Sequence, residues 1–277
     1  MEWSEHNPVV NDSWRPLRYL LRGTLLLLHI LIGLPIALLL INPLTARLRL
    51  RGERSDNGDS AQLRLIGERV DDRAIRAWST GLLRIFGFHP RRIGRPLPGG
   101  VLMLANHISW IDITLLHSQH MVGFVAKAEI SRWPLIGWLA RRSGTIYHQR
   151  GSHTSLLGVQ QRMVQRLRDG RAVGVFPEGG TGNGSTIRVF HARILQAAIE
   201  AGTPVQPVAL RFGESGSAQA RVAFAPGENF MHNFFRLLGD RGCVAEVHFL
   251  EPLPPQDGSR RAMAELARAR IVAAMDG

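Results

Sequence analysis

His107 and Asp112 stand at H-x4-D spacing inside LANHISWIDITLL, residues 104–116, between a strand-like apolar run and a helix-like one. A histidine held by a carboxylate is fixed in one tautomer, and imidazole ionises near neutral pH, so such a pair can take a proton from a hydroxyl. Ser109 and Asp112 also spell S-x-x-D, the pattern of a capping box at a helix start. Capping accounts for these two residues and leaves His107 without a task. A second stretch, AVGVFPEGGTGNG at 172–184, ends a strand at Phe176-Pro177 and continues through Glu178, Gly179, Gly180 and Thr181. A glycine-rich loop lets backbone N–H groups converge on an anion, although a plain turn would read the same way. A nucleotide loop is excluded, since no G-K-[ST] follows and no G-x-G-x-x-G opens a helix. A third, SGTIYHQR, carries Arg150 just after a short apolar run. Its planar fork suits phosphate, with a surface charge as the plain reading. His117 and His120 have no third ligand nearby and read as packing or surface residues.

These residues need a frame. Short apolar runs at 101–105, 123–126, 145–147, 172–176, 205–212, 221–224 and 244–250 read as strands. Helical patterns fall at 71–88, 110–118, 134–142, 152–168, 192–201 and 259–274. The alternation predicts an α/β fold, a mostly parallel mixed sheet flanked by helices. GTPVQPVAL at 202–210 brackets one buried strand with two prolines and shapes an apolar wall.

The chain of 277 residues can bury a sizeable core, and its single cysteine, Cys243, excludes an intrachain disulfide and a cysteine-based zinc cluster. Its net charge is +12, with arginine scattered from Arg15 to Arg270 and Lys127 the lone lysine. A basic surface suits nucleic acid, anionic lipid or anionic substrates. Nucleic acid is disfavoured because the arginines form no dense basic-aromatic patch and no reading motif occurs. TLLLLHILIGLPIALLLI, residues 24–41, points instead to a membrane. Its length is about the minimum for a hydrocarbon core of roughly 30 Å. Arginines on both sides (15, 18, 22 and 47, 49, 51) give no orientation by charge, which fits a helix that dips into one leaflet and returns. GERSDNGDS at 52–60 reads as a loop. The division is therefore residues 1–60 as a membrane-anchoring segment with linker, and 61–277 as the α/β domain.

Taken in order, NHISWID (106–112), GTIYHQR (144–150), FPEGGT (176–181) and PVQPV (204–208) resemble the sequence blocks of the glycerolipid, or lysophospholipid, acyltransferases. That family includes 1-acylglycerol-3-phosphate acyltransferase. The resemblance covers roughly residues 100–212. It implies that His107 is the general base for an acceptor hydroxyl and that Asp112 orients it. Arg150, Glu178, Gly179, Gly180 and Thr181 would hold the acceptor head group. It also implies an acyl-CoA or acyl carrier protein donor, no cofactor and no metal, and a place at the cytoplasmic face of the inner (plasma) membrane. The expected acceptor is 1-acyl-sn-glycerol-3-phosphate, giving phosphatidic acid, with another lyso-lipid such as lyso-ornithine lipid as the alternative. One departure bears on that choice: the third block usually reads E-G-T followed by Arg, Ser or Thr, and here it reads Glu178-Gly179-Gly180-Thr181.

Overall fold

The computed structural model describes residues 12–36, 70–148, 153–255 and 259–277. Arg150 and the 52–60 loop lie outside the described residues, as does the end of the apolar run at 37–41. The first helix, α1 (Arg15–Leu28), continues through a π-turn at His29–Gly33 to residue 36. After it come α2 (Val70–Ile85), β1 (Phe88–Ile93), β2 (Leu102–Ala105), α3 (Ile111–Gln119), β3 (Gly123–Lys127), α4 (Pro134–Arg142) and β4 (Ile146–His148). The chain continues with α5 (His153–Arg168), β5 (Val173–Val175), α6 (Gln196–Ala201), β6 (Val205–Phe212), α7 (Gln219–Val222), α8 (Phe230–Leu238), β7 (Cys243–Phe249) and α9 (Arg260–Asp276).

The described strands form one seven-stranded sheet in the order β1-β7-β6-β2-β5-β3-β4. Every neighbouring pair is parallel except β6–β7. Helices on both faces bury the strands, so β6 is buried at all eight positions, Gln206 and Arg211 included. Side chains of β2 alternate between two cores. Met103 and Ala105 join Leu83, Phe86, Leu115 and Leu237 on one face. Leu102 and Leu104 join Met163, Leu167, Ala198 and Ile271 on the other.

Three elements differ from the sequence reading, among them α8, which it does not include. Residues 221–224 were expected as a strand, but Gln219–Val222 forms one helical turn. The Gln219 side chain accepts from Phe212 N (2.8 Å) and donates to Leu210 O (3.0 Å), so a contact with β6 overrides the local apolar pattern. Strand β1, FHPRRI, was not anticipated. It forms the edge of the sheet, where the missing N–H of Pro90 is tolerated.

One side of α1 is fixed to the body. Arg18 Nε donates to Gly239 O (2.9 Å), Arg22 Nη1 donates to Leu238 O (2.9 Å), and the His29 ring stacks on Trp78. Gly239 is required there, because a Cβ would lie 2.5 Å from Tyr19 Cζ. The opposite side exposes Leu17, Leu20, Leu21, Leu25, Leu28, Leu31 and Ile32. Among the described residues, Arg15–Ile36 is the one helix long and apolar enough to cross a membrane.

Candidate active site

The C-terminal ends of parallel strands are where open α/β sheets place their ligands. Here β2 and β5, hydrogen-bonded neighbours, deliver His107 and Glu178 to the same end of the sheet. Asn106 makes the exit from β2 rigid. Its Nδ2 donates to Leu210 O (2.9 Å) and its Oδ1 accepts from Leu210 N (2.7 Å), so a side chain carries the β2–β6 ladder one step further.

The chain then turns around Asp112, which is fully buried in the first turn of α3. Its Oδ2 lies 2.7 Å from His107 Nδ1 and accepts from Ile108 N (2.7 Å) and Ser109 N (2.9 Å). The capping and chemical readings of this stretch therefore coincide in one oxygen atom. Bonding to the backbone fixes the carboxylate, and the fixed carboxylate fixes the imidazole. A neutral ring that donates Nδ1–H to Asp112 carries its lone pair on Nε2, the arrangement of a general base. The ring also lies flat against Phe176, with centroids 3.9 Å apart and planes 13° apart, and Phe176 stacks in turn on Phe124.

Ser109 does something other than cap. Its Oγ donates to Oδ1 of Asn233, a fully buried residue of α8 (3.0 Å). Asn233 Nδ2 donates to Glu228 Oε2 (2.9 Å), and Arg236 Nε donates to Glu228 Oε1 (2.8 Å). Arg236, above all, pulls the Glu228 carboxyl down to about 2. The turn at 106–112 is thus braced from behind by a helix more than a hundred residues away. Sequence reasoning missed Asn233, which has no motif of its own.

Glu178 is buried, and both its carboxylate oxygens are engaged. Oε1 accepts from His107 N (2.8 Å) and Oε2 from Arg188 N (3.0 Å). The carboxylate ties the β2 turn to the glycine loop. Gly179 has φ +76°, and a Cβ there would sit 3.1 Å from His191 Nε2, so two reasons favour glycine. Gly182 N donates to His107 O (2.6 Å), closing the loop onto the turn. Gly179 and Thr181 are exposed. His117, by contrast, is buried, its Nε2 lies 2.9 Å from Val122 O, and burial pushes its pKa down to about 4. It is a packing residue. Among the described residues, no group of three or more His, Cys, Asp and Glu side chains could hold a metal ion.

An apolar wall adjoins the turn. Trp110 packs edge-on against Phe230 (5.7 Å), which meets Trp133 (5.1 Å), and Trp110 also lies tilted against Phe234 (5.6 Å).

Comparison with known proteins gives four findings. The acyltransferase family model matches residues 91–211. A lyso-ornithine lipid O-acyltransferase of Pseudomonas aeruginosa is 37% identical over 94% of this chain and 95% of its own length. A 1-acyl-sn-glycerol-3-phosphate acyltransferase of Neisseria gonorrhoeae is 35% identical over 56% of this chain and 62% of its own. Among solved structures, the 1-acyl-sn-glycerophosphate acyltransferase PlsC of Thermotoga maritima superposes with a TM-score of 0.59. It covers 91% of this chain and 97% of its own at 19% identity, a likeness of fold.

Proposed function

The chain belongs to the acyltransferase family, and from that premise we propose that it esterifies the free hydroxyl of lyso-ornithine lipid, drawing the acyl group from a thioester donor at a membrane surface. One observation carries the acceptor. The relative of that activity aligns along 94% of this chain, whereas the gonococcal glycerophosphate enzyme aligns over little more than half. This reverses the order in which the sequence blocks alone ranked the two acceptors. The altered third block, Glu178-Gly179-Gly180-Thr181, is consistent with the change, since it lacks the arginine that would follow the usual E-G-T.

The chemistry follows from the dyad. His107 Nε2 takes the proton of the acceptor hydroxyl as its oxygen attacks the thioester carbonyl of acyl-CoA or acyl carrier protein. Asp112 holds the ring and stabilises the imidazolium that forms. Collapse of the tetrahedral intermediate expels the thiolate, which receives the proton from His107, so an ester and a free thiol leave together. Backbone N–H groups of the glycine loop other than those of Gly179 and Gly182, which bond Phe176 O and His107 O, would stabilise developing negative charge. Trp110, Trp133 and Phe230 offer an apolar wall for acyl chains.

The membrane contact we assign to α1 lying in the plane of the interface. A helix fixed to the body at Arg18, Tyr19, Arg22 and His29 lies along it, and its outer leucines then face lipid. Met231 and Phe235, exposed on the adjoining α8, extend that surface. Leu20→Glu/Leu31→Glu should abolish flotation with anionic vesicles, and undiminished flotation would remove α1 from this role.

A second reading, 1-acyl-sn-glycerol-3-phosphate as acceptor, rests on the four ordered blocks and the gonococcal relative. The test is purified protein with labelled acyl-CoA or acyl carrier protein and both acceptors. A higher kcat/KM for lyso-ornithine lipid is expected. A tenfold preference for the phosphate acceptor would establish the second reading, and turnover of neither would sink both.

A further inference from the structure

The two oxygens of the Glu178 carboxylate hold two different backbone N–H groups, that of His107 and that of Arg188. The catalytic turn and Arg188 therefore hang from a single buried group. The carbonyl side of Arg188 is fastened as well, because Arg268 Nε donates to Arg188 O (3.0 Å) and to Ile187 O (3.1 Å). With its backbone held on both sides, the residue keeps a side chain that is 48% exposed. Its Nη2 donates to the Gly180 carbonyl, and its Nε lies 3.7 Å from Glu178 Oε2. The guanidinium is thereby laid along the glycine loop, at the block where Thr181 stands. Five N–H donors in a planar fork exceed what these two contacts use, and the Nη1 edge remains for a ligand.

From this geometry we infer that Arg188 binds the oxyanion of the acceptor head group, a carboxylate or a phosphate ester, and sets acceptor affinity. The inference rests on the acyltransferase reading above. An acceptor whose hydroxyl comes within about 3 Å of the base brings its head group to the neighbouring loop. Glu178 is buried, and each of its oxygens accepts a backbone N–H. The exposed charge at this loop is thus the positive one of Arg188, and an oxyanion meets it without a competing free carboxylate from Glu178. Arg188→Ala keeps the backbone N–H that Glu178 holds, so the turn is preserved.

The experiment compares Arg188→Ala, Arg188→Gln and Arg188→Lys with the wild type, using lyso-ornithine lipid and 1-acyl-sn-glycerol-3-phosphate as acceptors. Loss of a charge-assisted fork should raise acceptor KM about tenfold or more in the Ala variant. Donor KM and kcat should stay within about twofold. The Gln variant, which retains a donor for the Gly180 carbonyl and removes the charge, should match Ala, and Lys should recover part of the loss. The acceptor whose KM moves identifies the oxyanion as carboxylate or phosphate. An unchanged acceptor KM, or an equal rise in donor KM, overturns the assignment while leaving the acyltransferase reading intact. A wild-type protein inert toward both acceptors overturns both.

Discussion

The turn at 106–112 and the loop at 178–191 leave neighbouring strands at the same end of the sheet, yet they are built differently. In the turn, Asn106, Ser109 and Asp112 are buried and each side chain is hydrogen-bonded to a backbone or side-chain partner. In the loop, Gly179, Thr181, Asn183 and Ser185 are exposed, and it is held by Glu178 and Arg268 beneath it and by Gly182 N on His107 O. A reacting base must be held to a fraction of an ångström, which the buried network does. A head-group site need only present donors, and an exposed loop can change its side chains without disturbing the base. Variants in the turn should therefore act on kcat, and those in the loop on KM.

The largest test of that division is His107→Ala. Loss of a general base costs about 10²–10⁴-fold in rate. The prediction is such a drop in kcat at unchanged acceptor KM, with a cooperative melt retained; wild-type-like turnover would refute the mechanism. Asp112→Asn comes next. It removes the charge from an oxygen with three partners, so kcat should fall at least a hundredfold. The folded state should also weaken by about 1–3 kcal/mol, because buried N–H groups lose a charged acceptor. A lowered melting temperature with normal kcat would reduce Asp112 to a cap.

Asn233→Ala probes the brace at a distance. Ser109 Oγ loses its acceptor, and we expect a several-fold fall in kcat with acceptor KM unaltered, together with about 1–3 kcal/mol of destabilisation. A loss of stability alone, with kcat preserved, would make Asn233 a core residue without influence on the base. The same brace carries a pH signature. Glu228 titrates lower in the folded chain, near 2, than its ordinary 4.5. Its contribution to stability is complete above the ordinary value and disappears as pH falls from there toward 2. Glu228→Gln should flatten the dependence of melting temperature on pH across that window. The smallest effect is expected from the loop: Thr181→Arg, an exposed change, should lower KM for a phosphate-bearing acceptor a few-fold and leave kcat untouched. A collapse of kcat there would erase the distinction between the two regions.

What the sequence disclosed follows the same line. His107, Asp112 and Glu178 sit in short stretches whose residue types already imply a corner, a carboxylate and a glycine loop. The β2, β3 and β6 strands follow from apolar runs that a two-sided sheet demands. Strand β1 hid behind Pro90, Arg91 and Arg92 because an edge strand can afford polar residues and a missing donor. Helix α8 carries Phe230, Phe234 and Phe235 in a run outside the sequence reading, and its register follows from packing on Phe86 and Trp110. Arg188 and Asn233 were illegible for one reason. Each reaches the site only through a carboxylate or hydroxyl that the fold brings from elsewhere.

The flat contact between His107 and Phe176 has a consequence for the charge that the proposed proton transfer would create. A neutral imidazole against a phenyl ring gains only dispersion, but in the proposed mechanism it takes the acceptor's proton and becomes a cation resting on the negative face of a π system. Such an arrangement is worth about 0.5–2 kcal/mol, and it exists only while the proton is aboard. The phenylalanine thus adds to the pull of Asp112 from a direction that no hydrogen bond occupies, and it does so without acidic chemistry of its own.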